Sequence, residues 1–236
     1  MDSINNNTDA HNFNFVPWKI AQVILGITTF LAGMLILLGF YSVIIDSDAN
    51  VNITLIIIAL GSGAIMLLAA WFFGPFWSAL SISTLGFRIP TGSFSTNIWL
   101  MTVVLLGSLG MSIVYTVTLS LLGIEMVEVP IDKDTLSNRL LIVLLILISL
   151  WGPLAEEVFF RGFVFSGLLP RIGFTWALLL TSLIFSVVHL DPKVMVPIFI
   201  SGVLFTWLYY RTNSIWSSFV VHSAHNMIAF LASLLT

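Results

Sequence analysis

Residues Arg139–Leu168 read RLLIVLLILISLWGPLAEEVFFRGFVFSGL. After Arg139 the stretch is apolar but for three charges inside it, Glu156, Glu157 and Arg161. About 20 apolar residues cross the hydrocarbon core of a bilayer as a helix, so length and composition make this a membrane span. Each charge near the centre of such a span costs about 2.5–3.5 kcal/mol on insertion scales. Three on one span are not there for stability.

The rest of the chain agrees. Of 236 residues, 58% are hydrophobic and only 8% charged, against about 25% charged in soluble domains. A net charge of −3 with eight Lys or Arg in all excludes the basic stripe that a nucleic-acid partner needs. The apolar excess excludes disorder, and the lack of Cys excludes disulfides and thiolate chemistry. The fold class is therefore all-α, a polytopic transmembrane helical bundle of about seven to eight helices in the lipid bilayer.

Gaps between charges place helices at about 20–45, 52–73, 97–124, 139–168, 173–190, 194–210 and 214–235, with 74–84 as a candidate eighth element. The organisation reads as a polar N-terminal tail, 1–17, N-terminal membrane helices, 18–137, and a core, 138–236, in one integrated membrane domain. Residues 1–17 have no basic n-region and lead into an uncharged run without a small-residue cleavage site, so the first span is expected to be retained. Lys19, Arg88, Arg171 and Arg211 fall on one side. Asp46, Asp48, Glu125, Glu128, Asp132 and Asp134 fall on the other with Lys133, Arg139 and Lys193. The bias puts the N-terminus in the cytoplasm.

Three of the four histidines lie in the last third of the chain: His189, His222 and His225. His222 and Asn226 share a helix face at a spacing of four, as do Phe185 and His189. With a turn near Pro170-Arg171-Ile172-Gly173, Glu156 and His189 sit level within a few ångströms. From a turn near Thr212-Asn213, His222 and Asn226 lie about 14 and 20 Å along the last helix. His189 is also close to the opposite turn, Asp191-Pro192-Lys193, so that turn is expected to be recessed, or the helix to kink at Gly152-Pro153.

Such a cluster suits hydrolysis. A buried Glu beside a second Glu can act as general base on water. His189 can orient that water or bind a metal, and His222 with Asn226 can donate to an oxyanion. Arg161, one turn after Glu157, neutralises it and leaves Glu156 as the working carboxylate. The bland alternatives are a structural ion pair, which leaves one Glu idle, and an interhelical His222–Asn226 hydrogen-bond pair.

Together, Glu-Glu-x-x-x-Arg at 156–161, Phe-x-x-x-His at 185–189 and His-x-x-x-Asn at 222–226 resemble the family of CAAX prenyl proteases and bacteriocin-processing or immunity proteins, the CPBP or Abi family. The resemblance covers about residues 140–230. It implies an intramembrane endopeptidase with Glu156 and His189 activating water, Glu157, Arg161 and Phe185 supporting the site, and His222 with Asn226 stabilising the oxyanion or completing a metal site. Both chemistries stay open: a divalent metal such as Zn2+ on Glu156, His189 and His222, or a metal-free glutamate mechanism, since Asn is a poor zinc ligand. His225 is not a motif position. The implied substrate is a membrane-associated peptide or protein, lipidated at its C-terminus if the prenyl-protease branch applies. The implied location is the plasma membrane of a prokaryote. Two other classes compete: a non-proteolytic membrane scaffold or bacteriocin-immunity protein of the same fold, and an ion-coupled transporter, for which the inverted repeats typical of such proteins are not visible.

Overall fold

The computed structural model describes residues 13, 15–44, 51–124 and 137–234. Asp46, Asp48, Glu125, Glu128, Asp132, Lys133 and Asp134 lie outside the described residues. Among those described there are helices and turns and no strand. Helix α1 is Ile20–Ile44, α2 is Val51–Trp71 and α3 is Phe94–Leu121. A long helical stretch, Asn138–Val187, follows. Gly173 breaks it with φ 75° and ψ 169°, a conformation open to glycine because it has no Cβ. The two arms, 138–172 and 174–187, are α4 and α5 here. Helices α6, Met195–Thr212, and α7, Ile215–Ser233, complete the bundle.

These seven segments follow the seven expected stretches, and the turns at Gly173 and at Asn213, which is left-handed with φ 51°, fall where the hairpin estimate needs them. Four stretches, Ile20–Phe40, Ile53–Phe76, Phe94–Leu121 and Asn138–Val187, are long and apolar enough to cross a membrane. Residues 74–84 form no eighth long helix: α2 ends in a π turn, Phe72–Phe76, and a 3-10 turn follows at Ile82–Leu85.

Local chemistry sets the ends and irregularities. Ser93, Ser137 and Ser214 cap α3, α4 and α7 by accepting backbone N–H groups of Thr96, Leu140 and Trp216. Pro153 lacks an N–H and its ring crowds the preceding turn. Helix α4 accommodates this by widening into a π turn at Leu147–Trp151, with the Gly152 N–H donating to Leu147 O. A second π segment, Glu157–Phe165, has every side chain buried. Such segments are frequent at functional sites.

Helix α4 is the centre of the molecule. Phe159, Phe160, Phe163, Val164 and Phe165 are fully enclosed, as expected of a helix apolar all round. The Trp18 indole donates to Phe163 O at 3.1 Å, and Trp151 donates to Ala59 O of α2 at 3.0 Å. The segment expected as a polar tail enters this core at its end: Phe13 and Val16 are buried, with the Phe13 ring against Phe165, Tyr209 and Tyr210. Around α4, α5 packs on α6, α1 on α2, and α3 on both α6 and α7.

One end of the bundle gathers basic residues. Arg171 donates to Val16 O and Pro17 O next to Lys19, and Arg88 donates to Asn213 Oδ1 beside Arg211. The outer surface between the ends is greasy: Leu35, Ile36, Leu106, Ile113 and Val114 are each more than 60% exposed. An apolar belt of this size faces lipid.

At Gly162, a Cβ would run into the Leu85 carbonyl, which is backbone and cannot rotate away. Gly162→Ala is therefore expected to destabilise by about 1–3 kcal/mol, read as a lower thermal midpoint in detergent. Gly110→Ala, whose Cβ meets nothing within 4 Å, is the control without the clash and, Ala being the better helix former, is expected not to lower the midpoint.

Candidate active site

Two consecutive acidic residues on one helix point in different directions, and this separates their roles. Glu156 has 21% of its side chain exposed and lines a cavity of about 420 Å³, together with Phe185, His189, Phe205, His222, His225 and Asn226. Glu157 has no exposure and does not line it. Instead it sits behind the cavity wall, 3.0 Å from Arg161 Nη1 and 2.9 Å from His222 Nδ1 through the same oxygen, Oε1.

Arg161 is equally buried. Its Nε donates to Thr206 Oγ1 on α6 at 3.3 Å, and its guanidinium lies 4.5 Å from the Phe185 ring centroid and 5.7 Å from that of Phe205. Aromatic faces attract a desolvated cation. The arginine is thus held by α4, α5 and α6 at once. This gives Phe185 a physical role: it shields Arg161 on one side and edges onto the rings of His189 and His222 on the other.

The imidazoles are oriented by what their inner nitrogens touch. A carboxylate accepts, so His222 Nδ1–H donates to Glu157, and His222 Nε2 then faces Glu156 Oε2 at 3.5 Å. His189 lies just past the end of α5, and its Nδ1 is 2.8 Å from Phe185 O. A carbonyl only accepts, so Nδ1 carries the proton and Nε2 is a bare acceptor in the neutral ring. Asn226 gives one amide N–H to Ile148 O in the first π turn of α4, at 3.2 Å, and keeps a second N–H. The widened turn thus places a carbonyl where it fixes this amide.

Glu156, Phe185, His189, His222 and Asn226 therefore meet at one cavity, while Glu157 and Arg161 stand behind it. The motifs did not reveal Thr206, the Ile148 carbonyl, or the contribution of α3, whose Ser112 and Thr116 line the same cavity. A Thr, a main-chain oxygen and hydroxyls on a distant helix carry no spacing signal.

Among the described residues no group of three or more His, Asp or Glu side chains is placed to hold a metal ion. The trio Glu156, His189 and His222 shares the cavity without forming such a group. His222 donates its Nδ1–H to Glu157, and its Nε2 lies 3.5 Å from Glu156 Oε2 on the cavity side. As placed, these three side chains do not form the three-ligand set of a catalytic zinc.

Residues 138–228 match the family model described as type II CAAX prenyl endopeptidase Rce1-like. The chain is 34% identical over 92 residues to the putative membrane peptidase YdiL of Bacillus subtilis, covering 39% of this chain and 38% of that protein. It is 28% identical over 129 residues to the membrane-embedded CAAX protease MroQ of Staphylococcus aureus, covering 52% of each. A UPF0177 protein of Lactococcus lactis, YxdF, is 32% identical over 76 residues, 32% of this chain and 41% of its own. The chain thus spans about half or less of the curated relatives it matches. No solved structure matches.

Removing one partner from a buried ion pair leaves an uncompensated charge, at about 3–5 kcal/mol. Arg161→Met is expected to lower the thermal midpoint sharply, and adding Glu157→Gln to recover most of the loss. A double-mutant cycle in detergent measures the coupling, which is absent if the two residues act independently.

Proposed function

We propose that the protein is an intramembrane endopeptidase of the CPBP family that hydrolyses a peptide bond with a glutamate-activated water, a reading supported by the match of residues 138–228 to the CAAX prenyl endopeptidase model. The carrying observation is the meeting of Glu156, His189, His222 and Asn226 at one cavity inside a membrane bundle. Glu156 takes the proton of a water whose other hydrogen is accepted by the bare Nε2 of His189. The hydroxide attacks the scissile carbonyl. Charge developing on the carbonyl oxygen is met by the second N–H of Asn226, with His222 beside it on the same wall.

Glu157 acts through His222. As an anion fixed by Arg161, it accepts the His222 Nδ1–H and sets the orientation of that ring, while Glu156 returns its proton to the leaving amine. Enclosing the reaction in an apolar cavity strengthens each of these hydrogen bonds. The substrate is a membrane-associated peptide segment. Since MroQ is described as a CAAX protease, a segment lipidated at its C-terminus is the first class to test. The bacterial relatives and the basic end of the bundle support a prokaryotic plasma membrane with the N-terminus in the cytoplasm.

Glu156→Gln keeps the shape and removes the base. It is expected to cut cleavage by about 10²–10⁴-fold with insertion and thermal midpoint unchanged, and peptide termini in the membrane proteome of cells expressing each form report it. Identical termini in the two overturn the protease reading in favour of a scaffold. Purified protein stripped with a strong chelator is expected to keep its activity; loss restored by zinc shows the glutamate mechanism to be wrong.

A further inference from the structure

His225 stands outside the three motifs, yet its ring lines the cavity, and its inner nitrogen is held by the N-terminal half of the chain. Ser108 of α3, fully buried, has its hydroxyl 2.9 Å from His225 Nδ1 and 3.0 Å from Leu105 O, to which it donates. A hydroxyl has one proton. With that proton on Leu105 O, Ser108 Oγ can only accept from Nδ1–H. The neutral ring then has an unprotonated Nε2, a hydrogen-bond acceptor in a cavity whose other deep groups serve the carbonyl under attack.

Helix α3 supplies more of the same wall. Ser112 and Thr116, four and eight residues after Ser108, also line the cavity. At about 1.5 Å per residue their hydroxyls repeat every ~6 Å, close to the ~6.6–6.8 Å between alternate residues of an extended strand. Helix α3 lies outside residues 138–228, the part matching the family model, so this wall belongs to the half of the chain that the motifs do not describe.

We propose that His225, Ser112 and Thr116 form a substrate-binding subsite that grips an extended peptide backbone beside the scissile bond, with Ser108 as the positioning residue that fixes the His225 tautomer. The inference rests on the endopeptidase reading. His225 Nε2 accepts a backbone N–H of the substrate, and the Ser112 and Thr116 hydroxyls donate to carbonyls on the same edge. The contacts are made alike in the ground and transition states, so they set affinity more than turnover.

The test uses the full chain in proteoliposomes and a synthetic pool of prenylated and unprenylated peptides, with products read by mass spectrometry and rates measured on the peptide cut fastest. Ser108→Ala and Thr116→Val are each expected to raise KM by about two- to ten-fold, the worth of one hydrogen bond, with a much smaller effect on kcat. Ser108→Thr, which keeps the hydroxyl, restores KM. Nitrogen-15 spectra of labelled histidines in nanodiscs are expected to show His225 protonated at Nδ1, and to lose that signature in Ser108→Ala. Wild-type KM in both variants, a fall in kcat alone, or a His225 proton on Nε2 overturns the subsite while Glu156-dependent cleavage stands. A pool that the wild type leaves uncut, or that Glu156→Gln still cuts, overturns the endopeptidase reading and the subsite with it.

Discussion

The structure depends on one arrangement, the buried ion pair of Glu157 and Arg161 in the middle of α4. Both side chains are fully enclosed in a part of the chain where ions are expensive. The cost is met by close geometry, by the Phe185 and Phe205 faces, by Thr206, and by the Nδ1–H of His222. These partners come from three separate helices, Phe185 from α5, Phe205 and Thr206 from α6, and His222 from α7. Helices α4, α5, α6 and α7 are thus fixed relative to one another by a single desolvated charge pair, and the cavity is what lies on its far side.

This separates two jobs that look identical in the sequence. Glu156 and Glu157 are the same residue type, side by side, yet one faces the cavity and the other the arginine. Adjacent residues on a helix point about 100° apart, so the Glu-Glu pair places one carboxylate at the cavity and the other against the arginine. The π segment Glu157–Phe165 and the π turn at Leu147–Trp151 tune that placement. The first carries the ion pair, and the second offers the Ile148 carbonyl to Asn226.

Much of the candidate site was legible because charge is so scarce in this chain. Glu156, Glu157 and Arg161 stand out in an apolar span, and the spacings of Phe185 with His189 and of His222 with Asn226 follow helical periodicity. Position along each helix was enough to bring Glu156 level with His189. What spacing could not give was direction. It could not show that Glu157 is fully enclosed behind the cavity wall, or that His222 turns its two nitrogens toward two different carboxylates. It also took residues up to 17 as a polar tail, although Phe13 and Val16 are core residues. The run Phe13 to Val16, broken by Asn14 and stopped by Pro17, is too short for a periodicity to be read.

The sequence by itself determined that the chain is a helical membrane bundle, where its helices turn, and which polar residues lie at one depth. These properties follow from composition and from the fixed rise of a helix, and neither needs a neighbour. Only the tertiary structure decided that Glu157 lies wholly behind the cavity wall, which nitrogen of each imidazole is occupied, and that α3 lines the cavity with Ser112 and Thr116 while Ser108 holds His225. Those depend on the azimuth of one helix against another, which is set by packing around the buried ion pair and by carbonyls that widened turns leave unpaired. No local pattern encodes them.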